Sequence, residues 1–337
     1  MTESHAPSRH LLRPRPYPAL LSLVIPMYNE QDVVSYLRAA IEEFAGSVQS
    51  SLEVVLVNDG STDATLDHLA EWAASDRRIR VVHLSRNFGH QVATTAGLDH
   101  ARGDAVVILD ADLQDPLPVI HKMIGRYMEG YDVVYGQRGT RAGESVWKRF
   151  TAWLFYRLMH TLVDARLPLD TGDFRLISRE CLDALIRMRE THRFLRGMVA
   201  WAGFPQIGVV YDRQPRKAGS TKYPMRKMLA FSWTAATSFS TIPLRISGLL
   251  GLAIGILGLE EGARALLAHV LGWYTVSGWA SLTVITSLIG SAILISIAIL
   301  GEYVAKLYEQ SKDRPLYLVA RTFNMEKEGS SRTDGIS

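Results

Sequence analysis

The sequence predicts an α/β fold: a mostly parallel sheet covered by helices on both faces, followed by interfacial amphipathic helices and a two-helix transmembrane hairpin. Three observations carry this. From Leu21 to about Val134, short apolar runs alternate with stretches of helical periodicity. After about residue 210 basic and aromatic residues mix, with Arg213, Arg216, Lys217, Lys222, Arg226 and Lys227 close to Phe231, Trp233 and Phe239. Two long apolar segments come last.

Taken in order, "LLSLVIP" (20–26), "LEVVLVND" (52–59), "IRVVHLS" (79–85), "AVVILDAD" (105–112) and "DVVYG" (132–136) read as buried strands. Between the first two, Val33, Val34, Leu37, Ala40, Ile41 and Phe44 recur at helical spacing. Ser61 or Thr62 is the expected cap of a second helix, and 91–101 reads as a third. In such sheets ligands bind at the carboxyl ends of the strands.

Basic residues beside aromatic anchors suit helices lying in a membrane interface. Trp279–Leu300 carries no charge over the length needed to cross a bilayer, so it reads as a transmembrane helix. Ile246–Leu259 is too short alone. As a span it runs on to about Leu271 and takes Glu260, Glu261 and Arg264 with it; a re-entrant segment is the alternative. Lys and Arg crowd before Ile246 and after Tyr303, whereas "AHVLGWYTVSGW" between the segments has none, which puts both termini and the α/β domain in the cytoplasm. Gly251-x-x-x-Gly255, flanked by Gly248 and Gly258, offers a small-residue face on which a homo-oligomer could pack through the membrane helices.

Composition narrows the field. The net charge of +3, with its positive residues beside apolar segments, argues against a nucleic-acid partner. One cysteine, Cys181, excludes an internal disulfide and a cysteine-rich zinc site. Residues 1–18 hold three arginines and four prolines without an apolar core, so they read as a disordered basic tail and not a secretory signal. Neither G-x-x-x-x-G-K-[ST] nor G-x-G-x-x-G occurs.

The chemistry concentrates in "VILDADLQDP" (107–116). Alternate residues of an extended chain point the same way, so Asp110, Asp112 and Gln114 can face one point at the strand's end. Hard cations such as Mg²⁺ or Mn²⁺ take a few such oxygens and complete their shell with water and phosphate. Asp115 with Pro116 reads as turn chemistry. "VIPMYNE" and "VNDGSTD" put further acids, Glu30, Asp59 and Asp63, at two other strand ends on the same edge.

These three stretches resemble the ordered motifs of the inverting family 2 glycosyltransferases, which have the nucleotide-sugar-binding, Rossmann-like GT-A fold. From about 21 to 320 the chain is similar to the polyprenyl-phosphate group of that family, which includes bactoprenol glucosyltransferases and dolichol-phosphate mannose synthases. "SRNFGHQVATTAGLDHARGD", "YGQRGTRAGES", "DTGDFRLISR", "RKAGSTKYP" and "GEYVAKLYEQSKDRPLY" carry that similarity. The resemblance implies a basic tail (1–20), a cytoplasmic GT-A catalytic domain (21–210), interfacial helices (211–243), two transmembrane helices (about 244–271 and 279–303, within 244–307) and a cytoplasmic C-terminal tail (308–337), in a multi-pass protein of the inner cell membrane.

It also implies roles. Pro26, Tyr28, Glu30 and Asp59 hold the donor nucleoside, Asp110 sits against ribose or metal, and Asp112 and Gln114 ligate the Mg²⁺ or Mn²⁺ that bridges the diphosphate. Arg138, Arg141, Arg175, Arg216 and Lys222 are expected to meet phosphates, including that of the acceptor. Lys148 and Arg149 read as surface charges. Asp112, Arg138 and Asp173 form the expected catalytic set, with Asp173 either orienting the acceptor or sugar or serving only as a salt bridge to Arg175 or a cap. The implied reaction moves a hexose, glucose first, from a UDP-linked nucleotide sugar to undecaprenyl phosphate at the lipid bilayer. The alternatives are a GDP-mannose enzyme and a non-catalytic membrane partner that binds nucleotide sugar or lipid. A processive synthase is disfavoured because no Q-x-x-R-W stretch occurs.

Overall fold

The computed structural model describes residues 12–139, 171–212, 242–271 and 279–325. They fall into two compact units, one built on a sheet and one holding the two apolar helices.

The sheet unit runs β1 (Leu20–Met27), α1 (Val34–Ala45), β2 (Ser51–Asn58), α2 (Thr65–Ser75), β3 (Ile79–Leu84), α3 (His90–His100), β4 (Ala105–Ile108), α4 (Val119–Met128), β5 (Val133–Arg138), β6 (Thr171–Ser178), α5 (Arg179–Arg187), α6 (Leu195–Ala202), β7 (Gln206–Tyr211) and β8 (Val319–Phe323). The strand order is β7-β5-β6-β4-β1-β2-β3-β8. β1 pairs in parallel with β2 and β4, β2 with β3, and β5 with β7, while β6 and β8 run antiparallel to their neighbours. This is the mostly parallel mixed sheet of a GT-A domain. β1, β2 and β4 are apolar and nearly continuously buried because helices cover both faces.

Register aligns the carboxyl ends. Met27 lies opposite Asn58, and Asn58 opposite His83. Asp59 N–H then donates to Met27 O at 2.9 Å, and Leu109 N–H to Val24 O at 3.1 Å, so the chain leaves each strand along one edge. α3 lies on β1 and β2 at Gly97, where a Cβ would clash with the Val24 side chain and come 3.0 Å from Val57 Cγ2. That close approach sets the level at which α3 begins beside the edge. Behind it, buried Glu53 accepts from Ser22, Arg80 and the Arg102 amide, and Arg80 also donates to His100 O at 2.8 Å, tying β1, β2 and β3 to the turn after α3.

Several expectations need correction. Residues 12–19 are not a free tail: Arg15 pairs with Asp132 at 2.5 Å, lies over the Tyr127 ring and donates its N–H to Met128 O. The segment after the second apolar helix returns to the sheet as β8, where Asn324 donates to the carbonyls of Ala73, Asp76 and Ile79. Strand β4 stops at Ile108, before the acids. Ser61 and Thr62 do not cap α2; both bond Asn29 and so join the loops after β1 and β2.

In the other unit, α7 (Ile242–Val270) runs unbroken past Glu260, Glu261 and Arg264, and α8 spans Trp279–Ser311. Their apolar stretches, Leu244–Arg264 and Ile285–Ser311, are long enough to cross a membrane, with mean hydropathy 1.5 and 2.0. Of residues 211–243, expected as interfacial helices, 213–241 lie outside the described residues.

Candidate functional site

The loops that follow β1, β2 and β3 are braced against one another before any ligand is considered. Asn29, in a left-handed conformation (φ 54°), donates its N–H to Ser61 Oγ at 2.9 Å and accepts from the Thr62 N–H at 2.8 Å. Glu30 N–H donates to Thr65 Oγ1 at 2.9 Å, and that hydroxyl donates to Asp63. Asp59, only 2% exposed, accepts the Phe88 and Gly89 amides at 2.7 and 2.9 Å, one on each oxygen. Gly60 (φ 63°) has no room for a Cβ, which would strike the backbone of Arg86 and Asn87. Burial pushes the Asp59 carboxyl up, outweighing the two amide bonds and the nearby charges of His90 and Arg86.

Of the residues expected at the nucleoside, Pro26 is buried in β1, Tyr28 is 40% exposed at its end, and Glu30 is half-buried beyond it. An aromatic face that open, at the carboxyl edge of a parallel sheet, is suited to stacking on a base.

Asp110, Asp112 and Gln114 alternate with buried residues, but in a turn and not in a strand. Residues 111–113 form a turn, with Leu113 at φ 54°, a conformation uncommon for a residue with a Cβ. Ala111, Leu113 and Asp115 are buried, while Asp110, Asp112 and Gln114 are half-exposed. The inward pull of Leu113 on the core, together with the bond from Gln114 N–H to Asp112 Oδ1 at 3.1 Å, holds the turn. Asp115 is more than a turn residue: at 2% exposure it accepts the Tyr211 hydroxyl and fastens this loop to the end of β7.

The fourth carboxylate comes from β6. Asp173 Oδ1 accepts from Arg196 Nε at 2.8 Å, while Oδ2 lies 3.3 Å from His90 Nε2 and 3.4 Å from Gln91 Nε2. His90 Nε2 is also 3.6 Å from Asp110 Oδ1, so the imidazole stands between two acids. Burial opposes the charge on Asp173, but Arg196 and His90 override it and hold its carboxyl well below the ordinary carboxylate range. Burial would lower the His90 pKa; its bond to Asp173 and the charge of Asp110 raise it instead. Asp110 is raised by burial, against His90 and with the repulsion of Asp173, Asp112 and Asp115.

The structure thus brings Asp110 and Asp173 together through His90, with Gln91 and Arg196 on Asp173, whereas the salt bridge from Asp173 to Arg175 that the sequence offered as its alternative is replaced by one to Arg196. Arg175 departs from its expected phosphate contact. It is 4% exposed and donates to the backbone oxygens of Gly172 and Asp173 at 3.2 and 3.4 Å, and burial lowers its pKa to about 10. It braces the start of β6 from inside. Arg138 ends β5 opposite Tyr211; its side chain, and Arg141, Arg216 and Lys222, lie outside the described residues.

Among the described residues no group of three or more His, Cys, Asp or Glu side chains is placed to hold a metal ion. A Mg²⁺-type site does not require one, because such ions keep several waters and take one or two carboxylates plus substrate phosphate. Asp110 and Asp112, both half-exposed, with Asp112, Asp115 and Asp173 all repelling Asp110, fit that kind of donor set.

The family model "Glycosyl transferase family 2" matches residues 22–186. The chain is 40% identical over 316 residues to "Uncharacterized glycosyltransferase YkcC" of Bacillus subtilis (strain 168), covering 94% of this chain and 98% of that protein. It is 36% identical over 299 residues to "Bactoprenol glucosyl transferase" of Shigella phage SfV, covering 89% and 97%. A solved mannosyltransferase from Pyrobaculum calidifontis, in complex with GDP-Man and Mn²⁺, aligns over 85% of this chain and 90% of its own at 19% identity and a TM-score of 0.42.

Proposed function

Given that the chain belongs to the family 2 glycosyltransferases, we propose that it transfers a hexose, glucose first among the candidates, from a UDP-linked nucleotide sugar to undecaprenyl phosphate at the cytoplasmic face of the inner membrane, with inversion at the anomeric carbon. One observation carries the lipid acceptor: a relative named for bactoprenol glucosyl transfer is 36% identical over 89% of this chain, a stretch that includes a sheet unit and helices of membrane-crossing length.

In this reading Tyr28 stacks on the base, while Glu30 and Asp59 serve the nucleoside, Asp59 chiefly by fixing the amides of Phe88 and Gly89. Asp110, Asp112 and Gln114 would hold Mg²⁺ or Mn²⁺, which supplies charge stabilisation to the departing nucleoside diphosphate. A phosphate monoester is largely dianionic near neutral pH, its second pKa being about 6. Its oxygen attacks the anomeric carbon as the bond from that carbon to the diphosphate oxygen breaks, and no strong general base is needed. Positioning and electrostatics therefore dominate. Arg138, Arg141, Arg216 and Lys222 are the cations proposed to gather the acceptor phosphate.

The basic, aromatic stretch 211–243 is proposed as the interfacial segment, with α7 and α8 as the two spans. Screening a panel of nucleotide sugars against undecaprenyl phosphate, with products read by mass, tests the donor. UDP-glucose is expected to give the hexosyl lipid; a product from GDP-mannose alone would replace the donor assignment.

A further inference from the structure

We propose that Arg196 and Gln91 are positioning residues for the transfer step, acting through Asp173. This rests on the glycosyl-transfer reading and adds to it two residues outside the acidic strand ends.

Three elements far apart in sequence converge on one carboxylate. Asp173 stands near the start of β6, Gln91 on the first turn of α3 and Arg196 on the first turn of α6. Gln91 spans the gap: its Oε1 accepts the Leu195 N–H at 2.9 Å, and its Nε2 is 3.4 Å from Asp173 Oδ2. The first amides of a helix lack intrahelical partners, so Gln91 caps α6 from α3 and fixes where Arg196 stands. Arg196 Nε then binds the other oxygen of Asp173 at 2.8 Å. Both carboxylate oxygens are thereby engaged from opposite sides, which defines the plane of the group.

Exposure places this bracket at the surface of the sheet unit and not in the core. The Asp173 side chain is 13% exposed, whereas those of Arg196, His90 and Asp110 are 32%, 36% and 35% exposed. Asp173 is a shielded, doubly held anion whose orientation sets His90, and through it the neighbourhood of Asp110. Without Arg196, one oxygen of Asp173 loses its charged partner and the carboxylate is free to turn toward His90 and Asp110. Partners of this kind, one shell behind the reacting groups, typically cost about 10- to 100-fold in activity when removed.

The test uses full-length protein in detergent with undecaprenyl phosphate, UDP-glucose and Mn²⁺. Arg196→Ala should lower kcat about 10- to 100-fold while leaving the donor KM within about twofold, the pattern of a lost transition-state interaction. Arg196→Lys should recover part of the rate. Arg196→Ala combined with Asp173→Asn should be no slower than Asp173→Asn alone, since both remove one interaction. Full wild-type kcat in Arg196→Ala, or losses that multiply in the double variant, overturns the bracket and leaves the transfer reading standing. A wild type that glycosylates no lipid under any donor overturns the transfer reading, and the proposed step with it.

Discussion

Tyr317 donates its hydroxyl to Asp99 Oδ2 at 2.8 Å, joining the chain that follows the second apolar helix to the last turn of α3. Arg189 meets the same oxygen at 2.7 Å, and Ser85 N–H donates to Leu318 O at 2.9 Å next to the loop that Asp59 holds. The sheet unit is completed by residues that come after both apolar helices. Tyr317→Phe should therefore destabilise this unit by about 1–3 kcal/mol, the cost of removing a bond to a charged group. Deleting residues 315–325 should do more, because it bares the edge of β3. Thermal melts in detergent, with aggregation monitored, check both; an unchanged melt on deletion would contradict the role given to β8.

A buried ion pair makes the second prediction. Glu53 and Arg80 are 6% and 7% exposed, and Glu53 also takes the Ser22 hydroxyl and the Arg102 amide. Glu53→Ala strands Arg80 without its partner and should cost about 3–5 kcal/mol, enough to lower expression as well as the melting temperature.

Gly60 marks where two loops touch. Gly60→Ala places a Cβ against the backbone of Arg86 and Asn87 in a left-handed conformation, so the loop held by Asp59 must shift. Donor affinity should fall, read by calorimetry with UDP and Mn²⁺, with a smaller effect on the melting temperature.

The charge on Asp173 sets a pH dependence. Its folded pKa lies well below the ordinary 3.8, because Arg196 and His90 outweigh burial. The stability it contributes is thus fully present above pH 3.8 and is lost only as pH falls through the depressed value. Because Asp173 also raises the His90 pKa, and the stability from that charge is present at low pH and lost as pH rises, Asp173→Asn should melt below wild type at pH 7 and by at least as wide a margin at pH 5. A margin that closes already between pH 7 and pH 5 would contradict the assignment.

How far the sequence speaks for itself depends on the kind of pattern. β1 to β4 are near-continuous apolar runs, and burial on both faces makes such runs legible within a few residues. The alternation of Asp110, Asp112 and Gln114 with apolar neighbours is legible, yet it belongs to a turn with Leu113 in the core and not to a strand. β6, β7 and β8 are not legible as strands: "TGDFRLIS" and "VARTF" carry charges, which an edge or inserted antiparallel strand tolerates, and in "QIGVVY" a glycine interrupts the apolar run. His90 and Gln91 lie inside "SRNFGHQVATTAGLDHARGD" and Arg196 outside every such stretch, but nothing local gives them a role: each is a polar residue at a helix start, and only the fold brings them to Asp173. Arg175 shows the reverse error, a cation in a suggestive motif whose side chain turns inward to backbone carbonyls.

The central claim is sugar transfer onto a lipid phosphate at the acidic edge. Its most direct measurement is mass analysis of the lipid after purified protein is incubated in detergent with undecaprenyl phosphate, UDP-glucose and Mn²⁺, beside Asp112→Ala and a chelator control. The account predicts a lipid heavier by one hexosyl group in the wild type alone, with Asp112→Ala folded and inactive. Glucose released to water without a glycosylated lipid, or equal product from Asp112→Ala, would contradict it.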